Sequence, residues 1–506
     1  MGVIIKGTDD TVKAADGSLS IEGFSIKTTG IGTFDGGVQV GAAATIHSTG
    51  QFNIGVAATI FANGNATFAG IVTAASYIGD GSALTGIAGT EITNSDFQVG
   101  VSTFFVDYST GRIGINTTVP LSALDVTGDA VVSGIVTATT FVPTEGQLSN
   151  RNIIINGAMQ LAQRADSSTT SGYGDVDRWQ HEYASTDEAP TFAQVDVTSG
   201  DAPYLVGLTQ AAKITNGNQT SGLQAASQIN FMQAIEAQNI RNSGWNYKSS
   251  SSYITLSYWV RASVAQEYHG FVKTADGSNY AYPFSLGSLS ANTWTKITKT
   301  IPGNSNLQID NDSGSGFQVW PVAFYGTDYT ASGVTNNAWA AWSSSERSTD
   351  QTSTWWTTND STFEITGVQL EVGSVDTPYE HRSYAEELYR CQRYYQRLGS
   401  PRTSIGDGGS FMTAYTQGSS NKFIGTYFFP VEMRDSPSAV EWSGTVGNYG
   451  GTCDNDGEMA ATAIGNSDTR KTSGRIHLTV SSVSGGKGGL IMSKSTAAYF
   501  AWSAEL

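Results

Sequence analysis

Reactive side chains are few in this sequence, and their spacing offers little chemistry. The five histidines, His47, His181, His269, His381 and His477, are scattered among unrelated segments, and no Gly-x-Ser-x-Gly string occurs. A nucleophile elbow with triad partners therefore has no support in the spacing. Cys391 and Cys453 are the only cysteines, too few for a disulfide framework or a zinc ligand set. Asp310-Asn311-Asp312-Ser313-Gly314 and Asp454-Asn455-Asp456-Gly457-Glu458 mimic the start of a calcium loop. Position twelve of the first frame is Pro321, which cannot supply the closing bidentate carboxylate. Both strings read as polar turns. Gly485-Gly486-Lys487-Gly488-Gly489 sets a lysine among glycines without Walker spacing and reads as a flexible loop. Paired carboxylates that cleave glycans leave no mark in a sequence, because their separation is spatial. The expectation is a protein that is not an enzyme, with no catalytic residue, cofactor or metal.

Aromatic residues make the stronger pattern. A sugar presents a C–H-rich face that packs on an aromatic ring, while Asn, Asp, Gln or Arg bond its hydroxyls. Dense candidates are Trp339, Trp342, Trp355 and Trp356, then Trp442, Tyr449 and Trp502. Trp442 and Tyr449 lie in a Gly/Ser/Asn-rich stretch without strand alternation, where an exposed ring is expected. The predicted glycan site is therefore Trp442, Tyr449 and Trp502, with Asn448, Asp454 and Asn455 as hydroxyl partners. A competing reading makes Trp502, close to the chain end, an anchor for the last strand.

The elements that must position these residues are mostly strands. At 506 residues the chain suggests roughly three domains. Charged residues make up only 14%, so polarity comes from Gly, Ser, Thr and Asn, a mixture suited to β-structure with many turns. A net charge of −17 argues against nucleic acid, whose phosphates need a positive field. The Met1–Lys6 run is too short for a signal peptide, and no apolar stretch is long enough to span a bilayer.

The chain divides by composition. All eleven tryptophans lie beyond residue 150, and residues 1–150 are rich in Gly, Ala, Thr and Val. Within them Gly64-Asn65-Ala66-Thr67-Phe68-Ala69-Gly70-Ile71-Val72-Thr73-Ala74 matches Gly128-Asp129-Ala130-Val131-Val132-Ser133-Gly134-Ile135-Val136-Thr137-Ala138. Repeated short units imply an elongated β-rich shaft in which thin strands bury themselves against copies of the same chain. Residues 151–380 alternate bulky and small side chains, as in Tyr253–Arg261, with Tyr253, Thr255, Ser257 and Trp259 on one face. This fits a large antiparallel jelly-roll sandwich. A single helix is expected within 381–399: Ser383 and Glu386 form a capping box, Tyr384, Leu388, Cys391 and Tyr395 a seam, and Gly399 the stop. Residues 400–506 read as a smaller β-sandwich at the tip.

Several strings resemble those of phage tail-fibre and tail-tip proteins, especially from phages of marine cyanobacteria. Arg151-Asn152-Ile153-Ile154-Ile155-Asn156-Gly157-Ala158-Met159-Gln160 with Asp177-Arg178-Trp179 resembles the opening of their carbohydrate-binding-like jelly roll. Ile365–Gly373 with Thr377-Pro378-Tyr379-Glu380 resembles its closing strand, and Glu387-Leu388 with Cys391–Tyr395 the helix that follows. Tryptophans near Trp339 and Trp355 also look like part of that fold, which implies core packing for the group of Trp339, Trp342, Trp355 and Trp356. Ile78–Gly86 and Ser122–Gly128 resemble fibre shafts more loosely. The resemblance implies a homotrimer on the virion tail. Its N-terminus would dock on tail or baseplate proteins, and its distal modules would bind host surface polysaccharide or an outer-membrane receptor. Nucleic-acid binding and membrane insertion are not expected. The alternatives are a connector fibre that binds other tail proteins, or a glycan-depolymerising spike.

Overall fold

The computed structural model describes residues 38–40, 44–46, 49, 51–54, 58–73, 97–99, 103–107, 109–134, 149–399, 409–454 and 457–506. The Ile78–Gly86 string, Asn455 and Asp456 lie outside them. The chain forms two compact units, Met1–Thr137 and Ala138–Leu506.

In the first unit, β1 (Val38–Val40), β2 (Ala44–Ile46), β3 (Phe52–Ile54), β4 (Ala58–Ile60) and β5 (Ala66–Phe68) pair in sequence order as an antiparallel meander. A second sheet joins β6 (Phe97–Val99), β7 (Phe104–Asp107), β8 (Arg112–Ile115) and β9 (Leu124–Val126), the last pair parallel. Among the residues of this unit whose side chains are described, Phe105 is the one large hydrophobic that is buried. Ile71 is 98% exposed and Val131 96%. These two belong to the repeated string, so the repeat supplies apolar side chains that one copy leaves uncovered.

The second unit opens with a jelly-roll sandwich. Its strands are β10 (Ser167–Ser168), β11 (Gln180–Ala184), β12 (Thr191–Asp196), β13 (Gln210–Thr215), β14 (Gln228–Glu236), β15 (Tyr253–Ala262), β16 (Gln266–Thr274), β17 (Tyr280–Leu289), β18 (Thr295–Pro302), β19 (Ser315–Tyr325), β20 (Ala340–Ala341) and β21 (Thr362–Val372). One sheet runs β10-β12-β13-β21-β15-β18 and the other β11-β14-β19-β16-β17-β20. The alternation read in Tyr253–Arg261 is realised: Ile254, Leu256, Tyr258 and Val260 enter the core, so Thr255, Ser257 and Trp259 fall on the outward face. Trp179, Trp355 and Trp356 are fully buried in that core, as expected for the last two.

The opening and closing strings clasp each other. Asn152 accepts from the Ile154 and Leu370 amides, and its own amide donates to the Val368 carbonyl. Buried Asn156 bonds both Leu161 and Asp177, and its carbonyl accepts from the Trp179 indole at 3.2 Å. Such side chains satisfy backbone groups where the chain enters the fold without a ladder.

Three short helices, α1 (Ala202–Leu205), α2 (Ala237–Arg241) and α3 (Thr354–Thr357), sit in connections, and α4 (Tyr384–Gln392) follows the sandwich. Ser383 caps α4 by accepting from the Glu386 amide at 3.2 Å, as its spacing predicts. Cys391 and half-buried Leu388 pack on Ile155 and Leu161, so the seam rests on the start of the jelly roll. Tyr384 is 62% exposed and outside that seam. The helix stops before Gly399, because Tyr395–Gly399 leaves it as strand β22 to pair with β30 (Tyr499–Ser503).

The smaller C-terminal sandwich takes the form of a closed barrel with a flanking sheet. Strands β23 (Gly409–Gln417), β24 (Lys422–Phe428), β26 (Tyr449–Cys453), β27 (Glu458–Arg470), β28 (Ser473–Val480) and β29 (Gly488–Ser493) close in the order β23-β24-β28-β27-β26-β29. The sheet is β22-β30-β25, with β25 at Val440–Trp442. Closure removes free strand edges.

Candidate functional site

The outward face of the β11-β14-β19-β16-β17-β20 sheet concentrates aromatic and polar side chains. Cross-strand partners share a face, so the register fixes who meets whom. Glu182 lies opposite Asn230, Asn230 opposite Val322, Phe271 opposite Trp320, and Lys273 opposite Gln318. The connection after β19 then crosses this face and brings Tyr329, Trp342 and Arg347.

The rings form two layers. Trp320 stacks on Phe271 with centroids 5.2 Å apart, and both are buried. Trp342, half-buried, stands 5.6 Å from Phe271, with the Lys273 ammonium 4.5 Å from its own centroid. The Arg347 guanidinium sits 4.3 Å from the Tyr329 ring and 5.2 Å from Tyr325. It also donates to the Tyr325 hydroxyl at 3.4 Å and to Gln228 at 3.3 Å. Arg347 is therefore locked among rings, and it sets the position of Tyr329 and Trp342.

Polar groups beneath are under strain of burial. Asn230 is fully buried, and neither its amide oxygen nor its nitrogen has a hydrogen-bond partner. A buried amide left unpaired costs roughly 1–3 kcal/mol. Burial pushes the Glu182 carboxyl up, opposed by Arg347 and Lys273. Burial and Arg347 hold the Lys273 ammonium below its usual range, opposed by Glu182. At one end the connection and β17 enclose a cavity of about 350 Å³, lined by Ala281, Pro283, Trp339 and Glu346 among others. At the other, Leu506 packs on the same patch. Ring faces, a carboxylate and an ammonium on one surface suit a polyhydroxylated ligand.

The residues expected to form the site lie elsewhere. Tyr449 is fully buried between Phe411 and Phe500, and its hydroxyl donates to the Tyr499 carbonyl at 2.6 Å. Trp502 is fully buried, stacked on Tyr427 at 5.5 Å; the competing reading of it as a strand anchor describes what it does. Neither ring offers a face to a ligand. Trp442 is half-buried, edge-on to Tyr449. Asn448 is tied to the Ser443 hydroxyl at 3.1 Å, and exposed Asp454 stands 3.9 Å from Lys487. Asn455 lies outside the described residues. Within this stretch Gly451 makes room for a ring, since an added Cβ would come 2.4 Å from Phe423, while Gly444, Gly447 and Gly457 have nothing within 4 Å. The expectation of an exposed ring is corrected at Tyr449, which turns into the barrel core.

Of the dense candidates in the middle module, Trp342 belongs to the aromatic face and Trp339 lines the cavity at its end. Glu182, Asn230, Phe271, Lys273, Trp320 and Arg347 escaped the sequence reading. A signal existed in Phe317-Gln318-Val319-Trp320, where apolar residues on both alternations mark a strand with two aromatic faces. Among the described residues no group of three His, Cys, Asp or Glu could hold a metal ion. In the first calcium-like string the Asp312 carboxylate accepts from the Gly314 amide at 2.9 Å, as in a polar turn.

No protein-family model matches the chain, and no curated protein does. Among solved structures, it is similar to the enzymatically active domain of tailspike protein 4 of bacteriophage CBA120, at 10% identity and a TM-score of 0.23. That match covers 44% of this chain and 21% of the other, so the chain spans about a fifth of the tailspike chain's length. The family 11 carbohydrate-binding module of Clostridium thermocellum is 10% identical over 42% of this chain and 98% of its own, TM-score 0.20. The N-terminal cellulose-binding domain of Cellulomonas fimi β-1,4-glucanase C is 11% identical over 43% and 99%, TM-score 0.21.

Proposed function

We propose that this chain is a tail-fibre protein of a bacteriophage, a homotrimer that attaches the virion to its host by binding surface glycan without cleaving it. The observation that carries the glycan reading is the outward sandwich face, where the half-buried rings of Trp342 and Tyr329 share a surface with Lys273 and Glu182. A sugar ring packs its C–H face on an aromatic ring while its hydroxyls reach Glu182 and Lys273. The trimer reading is supported by the first unit, whose repeat leaves Ile71 and Val131 almost fully exposed in a single copy. Three linked sites raise apparent affinity by roughly two to four orders of magnitude when they engage together. The N-terminal region then serves tail attachment, with tail or baseplate proteins as its partners, and the virion tail is the place of the protein.

The test is binding of the purified chain to a panel of immobilised bacterial surface polysaccharides. Trp342→Ala and Lys273→Met should each weaken binding about tenfold, near 1.4 kcal/mol, while trimer mass is kept. Polysaccharide binding that survives both variants would move recognition away from this face. Binding to purified tail proteins alone would favour the connector role.

A further inference from the structure

The opposite sheet of the sandwich carries a second, smaller cavity on its own outward face. After β21 the chain runs back across that face from Gly373 to His381. The Thr255 and Thr300 hydroxyls donate to the Gly373 and Ser374 carbonyls at 2.8 and 3.1 Å, and Lys296 meets Asp376 at 2.6 Å. Between this segment and the sheet lies a cavity of about 250 Å³, lined by Ser257, Trp259, Lys296, Thr377, Tyr379 and His381.

Two features separate it from an ordinary packing gap. Ser257 is 97% buried (3% exposed), and what it exposes lines the cavity. Gly367, at φ +62°, sits where the β15–β21 register shifts between Ser257 and Trp259. A Cβ there would stand 2.5 Å from Leu208 and 3.3 Å from the Trp259 indole, so glycine keeps that edge of the ring clear. The aromatic lining is held in place. Tyr379 and His381 meet edge to face at 5.0 Å, and the His381 Nε2 is 2.8 Å from the Val206 carbonyl. A carbonyl only accepts, so Nε2 is the donor in this contact.

Size and charge select the ligand. The volume is below the roughly 300–1,000 Å³ of sites for larger small molecules, which suits one ring rather than a chain. The single cation, Lys296, is already paired with Asp376, so no anionic group is called for. We infer that this cavity binds a single neutral pyranose ring, its C–H face on Trp259 and its hydroxyls on Ser257, His381 and the Lys296–Asp376 pair. The choice of a sugar rests on the glycan reading above. The two faces then divide the work: the aromatic face takes a stretch of glycan, and this cavity takes a chain end.

The test uses the full chain with methyl α-glucoside, methyl α-galactoside, methyl α-mannoside and N-acetylglucosamine, followed by saturation-transfer NMR and calorimetry. At least one should bind, and Trp259→Ala should weaken it about tenfold or more. Ser257→Ala, which removes only a hydroxyl, guards against misfolding of the tryptophan variant and should weaken the same ligand severalfold with unchanged melting. Trp342→Ala should leave monosaccharide binding intact while losing polysaccharide. If none of the four sugars binds, or if Trp342→Ala abolishes their binding while Trp259→Ala and Ser257→Ala do not, the cavity is not a sugar site. Polysaccharide binding lost in Trp342→Ala would then still stand on its own.

Discussion

Glu505, one residue from the last, is predicted to hold the barrel and the jelly roll together. Its carboxylate meets the Arg178 guanidinium in a short ion pair and Arg164 at 3.2 Å. Arg178 is buried; it also donates to the Ala234 carbonyl at 2.6 Å and stacks 3.5 Å over the Tyr394 ring. From the barrel side Arg434 bonds the Ala504 and Glu505 carbonyls at 2.7 and 2.9 Å. Glu505→Ala therefore leaves Arg178 charged and without its carboxylate in a dry site, a loss of about 3–5 kcal/mol for such pairs. The Ala234 carbonyl and the Tyr394 ring remain, which places the expected cost near the lower end, about 3 kcal/mol. For a cooperative unit of this length that lowers Tm by about 4 °C in differential scanning calorimetry. Replacing both partners, Arg178→Met with Glu505→Leu, should return Tm to within about 1–2 °C of the parent, because no buried charge is then orphaned. An unchanged Tm in Glu505→Ala would refute the clamp. A double variant as unstable as the single one would show that packing, not charge, is at stake.

Other outcomes follow from the same physics. Burial pushes the Asp177 carboxyl up to about 6 against its bonds from Gln163. Its folded pKa lies above its unfolded one, so its contribution is most favourable below about pH 4 and is lost as pH rises through about 6, a swing of about 3 kcal/mol. Urea denaturation should accordingly show Asp177→Asn gaining on the parent between pH 4 and pH 7; a pH-independent gap would contradict this. Leu388→Asp puts a carboxylate against Ile155 and Leu161 and should cost about 2 kcal/mol or more, whereas Ser383→Ala, losing the α4 cap, should cost about 1 kcal/mol. Equal melting of the Leu388 variant and the parent would place that side chain outside the core. Light scattering of the purified chain should give three times 53.4 kDa, and a compact monomer would end the trimer proposal.

Much of the architecture was legible because strand alternation and capping are local. Ile254, Leu256, Tyr258 and Val260 point inward as their period of two requires, and Ser383 caps α4 as its spacing to Glu386 demands. The strings at 151–160, 177–179 and 365–373 serve structure: Asn152, Asn156 and Arg178 staple chain segments far apart in sequence. The aromatic face was harder to see because it is assembled across four strands and one connection. Nothing local joins Glu182 to Asn230 or Lys273 to Trp342; register and loop crossing do. Tyr449 and Trp502 misled for the opposite reason. A glycine beside a ring in sequence suggests exposure, but Gly474 makes room for Trp502 from another strand, and only the fold reveals that pairing.

Adsorption of the purified chain to cyanobacterial cells, the hosts that the sequence resemblance implies, tests the proposed function most directly. The account predicts saturable adsorption to intact cells, loss of that adsorption when surface polysaccharide is stripped, and a drop of about tenfold or more in Trp342→Ala with its trimer mass unchanged. Equal adsorption to intact and stripped cells, or a Trp342→Ala variant that adsorbs like the parent, would contradict it.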